Sequence, residues 1–121
     1  MIAVIFEVQP RHDQKDAYLQ AARELGPLLA GVDGFISIER FESLASPGKL
    51  LSLSFWRDDE AVSRWRNHGL HREVQSLGRD SIFLDYRLRV ANVLRDYGLH
   101  EREQAPDDSR EVHAGEAPSK A

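Results

Sequence analysis

Residues 35–57, FISIERFESLASPGKLLSLSFWR, hold two β-rich runs joined by Ala45-Ser46-Pro47-Gly48. Proline presets a turn dihedral and glycine tolerates the left-handed region, so this stretch is expected to close as a hairpin with strands at about 35–43 and 49–57. A hairpin has two faces and two free edges, and the flanking sequence must supply what covers them. Residues 2–9, IAVIFEVQ, read as a further strand stopped by Pro10, with Ile2, Val4, Phe6 and Val8 on one face and Ala3, Ile5 and Glu7 on the other. Residues 81–95, SIFLDYRLRVANVLR, read as a last, long strand.

Between the first strand and the hairpin, Asp13 is expected to open a helix whose apolar residues recur at helical spacing from Ala17 to Leu29. Gly26-Pro27 should bend or interrupt it, because proline removes an amide donor and crowds the preceding turn. After the hairpin, residues 59–77 read as a second helix, with acids at its start, a break near Asn67–Gly69 and a stop at Gly78. The order β-α-β-β-α-β is the split βαβ pattern of an α+β, ferredoxin-like fold. Such folds host unrelated activities, so the order alone assigns no chemistry.

The chain has 121 residues and a formal charge of −4, with no cysteine, which excludes disulfides, thiolate metal sites and cysteine nucleophiles. Residues 99–121 carry six acids against three bases, and the reading divides the chain into a domain at 1–98 and a polar, acidic C-terminal tail at 99–121. The absence of a basic stripe argues against a nucleic-acid platform. No apolar run reaches the ~20 residues of a membrane span, and the first ten residues lack a signal-peptide pattern. The cytoplasm is the expected location.

Ile5 stands beside Phe6, Leu51 and Leu53 beside Phe55 and Trp56, and Phe83 beside Leu84. They cannot all face two helices. A second copy of the sheet is the simplest cover, so a homodimer packed sheet on sheet is expected. Asp85, Arg87 and Arg89 share one face of the last strand and could pair with Glu7 and Glu39, either at that interface or beside a substrate.

Reactive and aromatic side chains are densest from Trp56 to Arg79. On a helix, Trp65, His68, Arg72 and Gln75 fall within one arc, and a break at Gly69 would reset the phase of His71. These residues could line a pocket for a flat organic molecule, with a histidine as acid or base. Trp56 reads as core. The pair His68/His71 has no third ligand at metal-site spacing, so no metal is expected.

The stretches MIAVIFEV, DGFISIERFESL, GKLLSLSFW, WRNHGLHREVQSLGR and FLDYRLRVANVLRDYG together resemble the antibiotic biosynthesis monooxygenase (ABM) family across residues 1–97. The resemblance implies a dimeric α+β barrel with a pocket between helices and sheet in each protomer. It also implies either oxidation of polycyclic aromatic substrates by dioxygen without metal or flavin, or haem binding and ring opening. In the haem-degrading relatives an asparagine in the first strand, a helical tryptophan and a histidine ten residues later carry the reaction. Here Trp65 matches the tryptophan, Gln75 stands in place of the histidine, and the first strand has no asparagine.

The leading expectation is a cofactor-independent monooxygenase acting on an aromatic or quinol-like molecule. His71 or His68 would be the base, Trp65 the stacking surface, and Arg72 or Gln75 the holder of oxyanion charge. The alternatives are a haem-binding or haem-degrading protein, with His71 as ligand, and a non-catalytic dimeric module that binds a small molecule. A well-packed space between Trp65 and the sheet, with both histidines turned to solvent, would favour the module.

Overall fold

A computed structural model describes residues 1–77 and 81–114. Gly78 and Arg79, singled out above, lie outside the described residues, as does the end of the tail from residue 115. The elements are β1 (Ile2–Pro10), α1 (Lys15–Ala30), β2 (Phe35–Glu42), β3 (Leu50–Trp56), α2 (Asp59–Arg66), α3 (Gly69–Leu77), β4 (Phe83–Asn92) and α4 (Asp107–Val112). The four strands form one antiparallel sheet in the order β2-β3-β1-β4, the ferredoxin-like arrangement expected from the sequence.

The register sorts the side chains into rows, because paired residues share a face. Val8, Leu50, Glu42 and Tyr86 make one row on the helix-facing side. Phe6, Ser52, Arg40 and Leu88 make the next, and Val4, Ser54, Ile38 and Val90 a third. Ile2 and Trp56 lead the last row. Large side chains at the two ends anchor two separate cores. One gathers Trp56, Trp65, Leu29, Ala61 and Val62, and the other Val8, Tyr18, Leu50 and Ile82. The middle rows carry serine where the ends carry leucine and tryptophan.

The opposite face holds Ile5, Leu51, Leu53 and Phe55 at its centre, with Glu7, Asp85, Arg87 and Arg89 along one side. Glu7 takes an ion pair from Arg89 at 3.2 Å and another from Lys49 at 3.8 Å. Arg87 and Arg89 therefore stand on the face away from the helices.

Two helix expectations need correction. Asp13 does not cap α1: it adopts a left-handed φ of 66°, and the helix begins at Lys15 with Gln14 at the cap position and no side-chain cap bond. Nor does Gly26-Pro27 interrupt α1, which continues through Pro27 to Ala30. Proline inside a helix costs ~3 kcal/mol. Leu25, Leu28 and Leu29, packed into the first core on both sides of it, hold the turn in place against that cost. The second helix does break where expected. Asp58 caps α2 by accepting the Ala61 amide at 2.9 Å, and α2 ends before Asn67.

Gly34 shows how closely the α1–β2 corner approaches α2. Its φ is 91°, and a Cβ placed there would stand 2.6 Å from the Ala61 methyl. Arg57 fastens the same corner from the end of β3, with two bonds of 3.1 Å to Asp33.

Candidate active site

The cavity follows from small residues on both sides of the gap between helices and sheet. Ser52 and Ser54 form its floor, while Ala21 and Ala22 of α1 face them from above. Because these side chains are short, the two cores do not meet, and a space of about 420 Å³ remains between them. That lies within the ~300–1,000 Å³ usual for small-molecule sites. Ser54 is not idle there: its hydroxyl accepts the Trp56 indole N–H at 2.9 Å.

One wall is built by the broken second helix. Trp65, at the end of α2, is buried, and the rings of Trp65 and His71 stack with centroids 4.6 Å apart and planes 27° apart. In an uninterrupted helix, six residues at ~100° each would set the two about 120° apart around the axis, too far to stack. The corner at Asn67 and His68 brings them together. Asn67 holds that corner by donating to the Ser63 carbonyl at 2.9 Å and accepting from Arg72 at 3.0 Å.

Of the residues singled out from the sequence, Trp65, His71, Arg72 and Gln75 line the cavity together. His68 packs on the outer side of this group, with its ring 5.6 Å from Trp65, and is not among the lining residues. The structure adds several that the sequence reading passed over: Tyr18 on α1, Arg40 on β2, Arg66 on α2, and the two floor serines. The serines had a visible signal, small residues alternating with leucine on β3 in phase with Trp56. Arg40 had none, since a lone arginine in a strand reads as solvated.

Burial lowers the His71 pKa from the ordinary histidine value. The carbonyls of Arg66 and Trp65 pull the other way, and the charges of Arg72 and His68 add to the lowering. At neutral pH the ring is uncharged. Its Nδ1 is buried and has no hydrogen-bond partner among the described residues. A neutral imidazole on the cavity wall, held flat against an indole, can accept a proton from a molecule in the cavity.

Tyr18 is held as a neutral phenol. Burial pushes its pKa up, partly offset by the neighbouring Arg40 guanidinium. Among the described residues, no group of three side chains that could hold a metal comes together, and no helix is long and apolar enough to cross a membrane.

The sequence profile of the antibiotic biosynthesis monooxygenase family matches residues 1–77, from β1 through α3. The chain belongs to this family. Jasmonate monooxygenase ABM from Pyricularia oryzae is 50% identical over 93 residues, covering 77% of this chain but only 43% of that protein. The chain therefore spans less than half the length of that relative. Among solved structures, Rv0793 from Mycobacterium tuberculosis superposes with a TM-score of 0.71 at 20% identity, covering 80% of this chain and 98% of the other. SO0527 from Shewanella oneidensis gives 0.69 at 13% identity, covering 74% and 87%. These likenesses establish that the ABM member has the fold its sequence implied. β4, which lies beyond the profile match, completes both the sheet and the cavity.

Proposed function

We propose that this ABM protein is a monooxygenase that oxidises a small, flat, electron-rich molecule with dioxygen in the cavity between helices and sheet. The carrying observation is the stacked Trp65–His71 pair on the wall of a space of about 420 Å³. The family membership and the monooxygenase relative support the reaction class. A space this size with His71 on its wall is also the opposite of the packed interior that a non-catalytic module would show.

The substrate in this reading carries a phenolic or enolic hydroxyl next to an oxidisable methylene. His71 takes the hydroxyl proton and leaves an anion rich enough in electrons to reduce dioxygen. One oxygen atom ends as a carbonyl on the former methylene, and the other leaves as water with the two hydrogens. Converting the methylene to a carbonyl supplies all four electrons, so no external reductant enters the balance. A hydroxyl of pKa ~10 facing a base below ~6.5 makes the proton transfer uphill by roughly 5 kcal/mol. Arg72 and Gln75, on the same wall, would offset part of that by holding the oxyanion.

Oxygen uptake by metal- and flavin-free protein with an anthrone-type substrate tests this reading. Uptake well above the blank that falls in His71→Gln is expected, and uptake equal to the blank would refute it.

Haem is the second reading: His71, on the cavity wall, would hold its iron. Bound haem would supply an iron centre for oxygen activation. A sharp Soret band on adding one equivalent of haemin, lost in His71→Ala, would replace the first reading with this one.

The proposal includes a homodimer in the cytoplasm. Support for the dimer is the apolar centre of the outer sheet face, Ile5, Leu51, Leu53 and Phe55, which this chain leaves only half-buried. Light scattering at micromolar concentration should give twice the chain mass.

A further inference from the structure

Among the described residues, the charged side chains that line the cavity are all of one sign. Arg40, Arg66 and Arg72 line it, and no described lining residue is a carboxylate. Among the described residues, none of the three arginines is ion-paired with an acid. Arg72 donates to the Asn67 side-chain oxygen and Arg66 to the Ser63 hydroxyl at 3.3 Å, so both spend a donor at the α2–α3 corner.

Arg40 is placed differently. It projects from the sheet in the row of Phe6 and Ser52, on the cavity floor. The acid nearest to it on the same face of β2 is Glu42, and Lys15 takes that carboxylate at 3.0 Å, leaving the Arg40 charge uncompensated. Among the described residues the Arg40 Nε is buried with no hydrogen-bond partner, and the side chain lines the cavity. A charged group left short of partners is costly, and an anion bound in the cavity beside the guanidinium would offset that cost.

Two hydroxyls complete the group. Tyr18 stands beside the Arg40 guanidinium and lines the same cavity. Ser52 is the direct ladder partner of Arg40 and lines the same floor.

We propose that Arg40, Tyr18 and Ser52 form a carboxylate-binding subsite, so that the substrate is a carboxylic acid anchored at the sheet with its oxidisable ring against Trp65 and His71. The planar guanidinium edge suits a two-oxygen planar anion, and both hydroxyls can donate to it. The subsite deepens the monooxygenase reading by naming the substrate class, and rests on it only for what happens at the far end of the cavity.

Calorimetric titration with 2-naphthoate and with its neutral analogue 2-naphthamide tests the subsite without any oxidation. Wild type should bind the carboxylate at least tenfold more tightly than the amide. Arg40→Gln should bring the two to within about twofold while keeping the amide affinity. Arg40→Lys and Tyr18→Phe should each cut the preference at least threefold, and they decide the matter if Arg40→Gln fails to fold by its thermal melt. Equal affinities in wild type, a preference untouched in these variants, or one removed instead by Arg66→Gln or Arg72→Gln would overturn the assignment. Because binding is read apart from turnover, an intact carboxylate preference with no oxygen uptake would sink the monooxygenase reading alone.

Discussion

Trp65 and His71 lie face to face, 4.6 Å between ring centroids, although they stand on two different helices separated by the corner at Asn67 and His68. Stacking fixes the imidazole plane, and burial keeps it neutral. His68, three residues nearer in sequence, is tilted at 40° to the same indole and stays outside the cavity lining.

The two histidines should therefore separate cleanly in kinetics. Loss of a positioned general base removes ~10²–10⁴-fold of rate. His71→Gln is expected to lower kcat/KM for oxygen uptake by at least a hundredfold, and His68→Ala by less than tenfold. Steady-state assays on the two purified variants check this.

The acid limb of the pH profile reports the same group. His71 acts as its neutral form, so activity should rise with pH through an inflection below the ordinary histidine value of ~6.5 and then level off. Stability follows the same sign. The folded pKa is depressed, so the stabilisation is present above the unfolded value and is lost as pH falls through the folded one. Urea melts between pH 7.5 and pH 5 should show wild type losing more stability than His71→Gln.

Ser52 keeps the cavity open, so filling it should separate stability from function. Ser52→Leu places an apolar side chain in the gap between the two cores, with an expected gain of about 1 kcal/mol from burial. Thermal melting should be unchanged or raised, while small-molecule binding by calorimetry should be lost.

Gly34→Ala should act in the opposite direction. The left-handed φ costs an L-residue ~1–2 kcal/mol, and the 2.6 Å approach to Ala61 adds overpacking of ~1–3 kcal/mol. A destabilisation of about 2–5 kcal/mol in denaturant melts is expected, and a change below 1 kcal/mol would mean that α2 moves aside.

The elements set by local chemistry were legible in the sequence. The hairpin turn, the acids at the start of α2 and the break at Asn67 each depend on residues within a few positions of one another. Continuity of α1 through Pro27 was not, because leucines anchored in a distant core decide it. The site divides in the same way. Trp65, His71, Arg72 and Gln75 could be picked out from one stretch of chain. Tyr18 and Arg40 could not, since only the pairing of β2 with β3 and the packing of α1 place them on a common floor. Arg87 and Arg89 were open between interface and pocket until the register put them on the outer face.

The central claim is that this cavity transfers oxygen from dioxygen to its substrate without outside electrons. Single-turnover oxidation under ¹⁸O₂, with metal- and flavin-free protein, an anthrone-type substrate and mass spectrometry of the product, tests it most directly. One ¹⁸O atom in the product carbonyl is expected, with a rate that collapses in His71→Gln. Product carrying only ¹⁶O, or labelling at the uncatalysed rate in both proteins, would contradict it.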